Sequence, residues 1–181
     1  MHYGHEDVRQ SHSLLEKPET IVVSVCILTY RRPLLLERCL RSLQTQNPES
    51  PPFETVVIDN DQREYAREVV ARVGEGTEAD TMRYYCEPIR NISAARNRAV
   101  KESRGRVVAF IDDDEIPDSD WLRMLHETLV AKQADGVLGP VVPEFEGTPP
   151  PWLIDSRLCK RETFATGTEL TSPRVMRTGN A

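Results

Sequence analysis

Residues 107–121 read VVAFIDDDEIPDSDW. Val107, Val108, Ala109, Phe110 and Ile111 form a short apolar, β-branched run that predicts a buried strand, and it runs directly into Asp112, Asp113, Asp114 and Glu115. Adjacent carboxylates repel one another, more strongly as they leave bulk water. A strand that ends in four of them therefore needs something at its carboxyl end to offset that repulsion. After the acids, Trp121, Leu122, Leu125 and Leu129 recur at helical spacing, so the stretch reads as strand, acidic loop and helix.

The same alternation extends in both directions. Residues 21–28 (IVVSVCIL) are a continuous apolar run, followed by Pro33 and then Leu36, Cys39, Leu40 and Leu43 at helical spacing, ending near Asn47-Pro48. Residues 53–58 (FETVVI) predict a second strand, and Tyr65, Val69, Val70 and Val73 a helical stripe that stops at Gly74. Residues 82–86 predict a short strand, Ser93 is expected to cap a helix running to about Ser103, and residues 137–142 are expected to close the series as a further strand. Strands alternating with helices imply an α/β fold, a mostly parallel Rossmann-like sheet with helices on both faces. Such sheets bind ligands at the carboxyl ends of their strands, where this sequence places Thr29-Tyr30, Asp59-Asn60 and the acidic cluster.

The 181 residues suit one core built without disulfides or a structural metal. Residues 1–20 read as a flexible polar tail, 21–142 as the α/β domain, and 143–181, rich in Pro, Gly and Thr, as a substrate-facing segment without sustained periodicity. With 23 Lys and Arg against 29 Asp and Glu, the net charge of −6 argues against a nucleic-acid partner. Cys26, Cys39, Cys86 and Cys159 show no zinc-site spacing and read as reduced thiols, which fits a cytoplasmic chain. No apolar run reaches the ~18 residues of a transmembrane segment.

Two groups of residues could carry chemistry. Mg²⁺ and Mn²⁺ take hard oxygen ligands, commonly one or two carboxylates completed by phosphate oxygens. A cation at Asp112 and Asp114 would offset the repulsion and anchor a diphosphate. The segment RNISAARNRAVKESRGR, residues 90–106, is basic within an acidic protein. Arg96 and Asn97 lie near its helix start, where free N–H groups favour anions, whereas Arg98, Lys101 and Arg104 read as a solvated face.

In this order and at these intervals, SVCILTYRR, TVVIDNDQ, RNISAARNRAV and VVAFIDDDEIPDSDWL resemble the family 2 glycosyltransferases, inverting enzymes of the A-type fold. GPVVPEFEGTPPPWL followed by TGN is similar to the bacterial branch that builds exopolysaccharide or cell-envelope glycans, including succinoglycan-type glucosyltransferases. The resemblance implies a donor that is a nucleoside-diphosphate sugar, a UDP-sugar by expectation, and an acceptor that is a glycan or a lipid-linked saccharide, met in the cytoplasm at the inner face of the cell membrane. It implies that Thr29 and Tyr30 line the nucleoside pocket, that Asp59 bonds the base, that Arg96 lies near the base or diphosphate and that Asp112 holds the ribose. Asp114 would ligate Mn²⁺ or Mg²⁺, Trp152 would stack on an acceptor sugar, and Asp113 and Glu115 would stand behind or face solvent. The family's general base lies after TGN, so the expected chain is a shortened, donor-binding half with the catalytic base unassigned. Two other readings stay open: a nucleotide-sugar-binding domain without catalysis, and a phospho-receiver module. The receiver would need its acidic pair after the first strand, where Thr29-Tyr30-Arg31-Arg32 stands.

Overall fold

The computed structural model describes residues 21–78, 80–145, 147–156 and 163–170. The polar tail, Cys159 and the TGN segment lie outside them. Four strands, β1 (Val23–Thr29), β2 (Phe53–Asp59), β3 (Met82–Cys86) and β4 (Val107–Asp112), form one sheet in the order β3-β2-β1-β4. Every pairing is parallel. The helices are α1 (Pro33–Leu43), α2 (Arg67–Gly74), α3 (Ile92–Glu102), α4 (Trp121–Lys132) and α5 (Pro151–Ser156).

Two separate apolar layers sandwich the sheet, because successive side chains of a strand point to opposite faces. On one face Val23, Val25, Ile27 and Val57 pack against Leu36, Leu40 and Leu43 of α1, Val69, Val70 and Val73 of α2, and Leu122 of α4. On the other, Cys26, Val56 and Ile58 meet Ala95 and Ala99 of α3. Two alanines on its buried face let α3 lie close to the strands. Cys26, Cys39 and Cys86 are free thiols, and burial pushes the Cys39 thiol up to about 12.

At the amino ends of the strands the layers are tied by polar groups. Glu54 of β2, fully buried, accepts hydrogen bonds from Ser24 Oγ of β1 at 2.6 Å, from Arg83 of β3 at 2.9 Å and from the backbone N–H of Arg104 at 2.7 Å. Gly105 follows, its N–H donating to Ser24 Oγ at 2.8 Å. A Cβ on Gly105 would lie 2.6 Å from the backbone nitrogen of Ser24. Backbone cannot swing aside as a flexible side chain can. Gly105→Ala is therefore expected to cost about 1–3 kcal/mol of stability, the usual penalty of overpacking, read as a lower urea midpoint at unchanged slope.

Three expectations are corrected. Residues 137–142 form no strand: Gly139-Pro140 interrupts the apolar run, and the proline brings no N–H to a strand ladder. The helix start belongs to Asn91 rather than Ser93, since the Asn91 side chain accepts from the N–H groups of Ser93 and Ala94. Tyr65 precedes α2 and is exposed. In addition, the segment expected to lack regular structure contains α5.

Candidate donor-binding site at the strand ends

Parallel register decides what meets at the carboxyl edge of the sheet. Thr29 lies beside Asp59, Asp59 beside Cys86, and Leu28 beside Asp112. The loops after β1, β2 and β4 and the loop into α3 therefore converge on one edge.

Within the acidic cluster the four carboxylates are treated differently by their surroundings. Asp113 turns inward. It is buried, accepts a 2.7 Å hydrogen bond from Thr29 Oγ1, and lies 3.4 Å from an Arg32 nitrogen. Burial pushes its carboxyl up, and the Thr29 hydroxyl and the Arg32 charge oppose that shift. Asp114 turns outward, with 44% of its side chain exposed and Arg32 at 3.1 Å. Asp112 is half-buried. Burial first, then the negative charges of Glu115 and Asp114, push its carboxyl up to about 6, and the positive charge of Arg96 works against them. The backbone N–H of Asp112 donates to Glu115 Oε2 at 3.2 Å, so Glu115 braces the same turn.

A cationic and aromatic group faces this cluster from the neighbouring loops. Arg31, in the left-handed backbone region at φ 57°, is ion-paired with Asp61. Its guanidinium lies 4.9 Å from the ring centre of Tyr30, and that of Arg90 lies 4.7 Å from the same ring. Both distances suit cation–π attraction. Arg96 is exposed on the first turns of α3.

Measured against the sequence reading, Tyr30, Arg96, Asp112 and Asp114 stand at the open edge. Thr29 is buried just behind it, with its hydroxyl committed to Asp113. Asp59 is turned inward from the open edge. It is fully buried, with one carboxylate oxygen accepting from the Asp61 N–H and the other from the Ala66 N–H and the Tyr84 hydroxyl. Two of these three hydrogen bonds come from the loop into α2, so Asp59 braces that loop from inside. Trp152 is 64% exposed on α5, and among the described residues no hydrogen bond or ring contact joins it to the strand-end group. The reading assigned no site role to Arg31, Arg32 and Asp61. The pair Arg31-Arg32 directly after a strand, in a protein of net negative charge, was the available signal.

The donor set fits a hard divalent cation. Asp112 and Asp114 offer carboxylate oxygens at the surface of the edge, and Asp113 points away. Among the described residues no three ligating side chains converge, so the rest of a coordination shell would come from phosphate oxygens and water, as Mg²⁺ and Mn²⁺ commonly accept.

Comparison with known proteins follows the same line as the geometry. The sequence profile of glycosyl transferase family 2 matches residues 24–178. The chain belongs to glycosyl transferase family 2. Succinoglycan biosynthesis protein ExoM of Rhizobium meliloti is 40% identical over 136 residues, which cover 75% of this chain and 43% of that protein. Among solved structures, S. aureus TarS 1-349 in complex with UDP-GlcNAc superposes with a TM-score of 0.56 at 22% identity, over 68% of this chain and 37% of that one. The mannosyltransferase PcManGT from Pyrobaculum calidifontis, in complex with GDP-Man and Mn²⁺, gives 0.51 at 24% identity, over 64% and 35%. This family 2 chain has the A-type glycosyltransferase fold. It spans less than half the length of each of these proteins.

Proposed function

We propose that the chain is the donor-binding part of an inverting, metal-dependent glycosyltransferase that takes a sugar from a UDP-sugar and passes it to a glycan or lipid-linked acceptor in exopolysaccharide or envelope synthesis. The observation that carries this reading is the meeting, at one sheet edge, of the half-buried carboxylate at 112 and the outward one at 114 with Tyr30, Arg32 and Arg96. The similarity to a succinoglycan biosynthesis protein supports the exopolysaccharide assignment, and complexes of related folds with UDP-GlcNAc and with GDP-Man and Mn²⁺ support the donor class and the metal.

In this reading Tyr30 receives the nucleoside on its ring, Asp112 takes the ribose hydroxyls, and Asp114 holds the cation. When bound, Mn²⁺ or Mg²⁺ supplies neutralisation of the charge that develops on the departing diphosphate. Arg96 and the start of α3 add positive potential from the other side. Arg32 bridges Asp113 and Asp114 through one guanidinium nitrogen, at 3.4 and 3.1 Å. Residues 21–142 constitute the donor half, 143–181 the acceptor side with Trp152 against an acceptor sugar, and the chain works at the inner membrane face.

A calorimetric titration of UDP into the chain with Mn²⁺ present, repeated with EDTA, tests the reading. Binding that disappears on chelation is the expected result. Failure of UDP, GDP, CDP and dTDP alike to bind under either condition would overturn it.

A further inference from the structure

Asn60 is the first residue after β2, and both its carboxamide donors and its oxygen bond one neighbouring loop. Nδ2 donates to the carbonyls of Glu87 at 2.9 Å and Ile89 at 2.6 Å, and Oδ1 accepts the N–H of Asn91 at 3.1 Å. Its own N–H donates to the carbonyl of Thr29 at the end of β1, at 2.9 Å. Two donations to carbonyls and one acceptance from an amide leave no choice about which way the carboxamide is turned. The side chain is buried, while Pro88, Ile89, Arg90 and Asn91 are exposed.

The tethered loop carries two things the site uses. Arg90 lies between two of the bonded residues and places its guanidinium on the Tyr30 ring. Asn91 caps α3 through the Ser93 and Ala94 N–H groups, fixing the turn from which Arg96 acts on Asp112. Through its backbone N–H and its carboxamide, this one residue joins the ends of β1 and β2 to the start of α3. We propose that Asn60 is a positioning residue of the donor site: it clamps the 87–91 loop so that Arg90 and Tyr30 are pre-set for the nucleoside. This rests on the nucleotide-binding reading above, and its test is arranged so that the two can fail separately.

Asn60→Asp keeps size and the acceptor for Asn91 but loses both donations and sets a carboxylate against two carbonyls. Hydrogen exchange followed in the wild-type chain and in this variant reads the clamp without any ligand. The Asn91 amide is expected to exchange slowly in the wild type despite its exposed loop, and residues 87–94 to exchange at least about tenfold faster in Asn60→Asp, with β1 and β2 unchanged. UDP with Mn²⁺ is the probe of function. Its affinity is expected to fall about tenfold or more in Asn60→Asp, and by clearly less when the same change is made in an Arg90→Ala background, since coupled residues do not add.

A fast-exchanging Asn91 amide in the wild type would overturn the clamp even if the variant does not fold. Faster exchange at 87–94 with unchanged UDP affinity, or losses that simply add in the double variant, would overturn the positioning role. A wild-type chain that binds none of the four nucleoside diphosphates would overturn the donor-site reading and the role built on it, with the exchange data still deciding whether the clamp exists.

Discussion

Glu54→Ala is expected to lower the unfolding free energy by about 3–5 kcal/mol, the range for breaking a buried, hydrogen-bonded ion pair by removing one partner. Against the 5–15 kcal/mol that holds a typical domain together, that loss alone leaves a chain close to unfolding. The substitution deletes the acceptor for Ser24, Arg83 and the Arg104 amide together. It leaves the Arg83 guanidinium, whose side chain is only 12% exposed, with Glu102 as its remaining carboxylate at 3.6 Å. Replacing both partners by apolar residues, as in Glu54→Leu with Arg83→Met, is expected to recover much of the loss, because no buried charge is then left uncompensated. Chemical denaturation of the three chains checks this, and a single variant as stable as the wild type would show that the pair contributes nothing.

The same carboxylate sets an acid limit on stability. Burial pushes the Glu54 carboxyl up, but the hydrogen bonds from Ser24, Arg83 and the Arg104 amide together outweigh it and hold the group below its ordinary 4.5. A folded-state value below the unfolded one means that the folded chain binds the proton less readily. Its stabilisation is therefore complete above pH 4.5 and is lost as the pH falls through the depressed folded value. The stability gap between wild type and Glu54→Gln is expected to be widest above that pH and to close below it.

How much of this was legible in the sequence depended on burial. The run at 21–28 and the Val56-Val57-Ile58 segment are apolar on successive residues, because β1 and β2 are the two central strands and are covered on both faces, and that pattern points to a parallel sheet. The run at 137–142 carries similar residues, but without strand pairing its Gly139-Pro140 step prevails, and composition does not say whether a partner is present. Asp59 shows how strand period sets the direction of a site residue. Position 59 follows 57 on the same face of β2 by simple alternation, and Val57 belongs to the layer under α1 and α2. Asp59 was thus directed into the α2 loop by strand period. Residues 60 and 61, already in the loop, were free to turn elsewhere. The orientations of Asp113 and Asp114 carried no such signal, since a tight turn after β4, closed by the Glu115 N–H on the Asp112 carbonyl, decides which carboxylate goes in and which goes out.

Asp114→Ala is expected to weaken Mn²⁺-dependent UDP binding at least a hundredfold, about 2.7 kcal/mol, while leaving the fold intact. Asp114 is the outward carboxylate of the cluster, and its partner Arg32 is itself more than half exposed. An exposed ion pair of this kind contributes about 0–1 kcal/mol, and removing one of several crowded negative charges relieves repulsion on Asp112. The thermal midpoint of the unliganded variant should therefore stay near that of the wild type. Asp113→Ala makes the contrasting case. It removes the buried acceptor of the Thr29 hydroxyl and one of the two carboxylates on Arg32, so its first effect falls on stability, by about 1–3 kcal/mol for the orphaned hydroxyl. Titrations with Mn²⁺ and with EDTA separate the two variants: in Asp114→Ala the residual affinity no longer responds to chelation, whereas in Asp113→Ala any affinity that survives still does. Full metal-dependent affinity in Asp114→Ala would remove this carboxylate from the metal site and leave Asp112, with Arg32 and Arg96 around it, as the group that meets the phosphates.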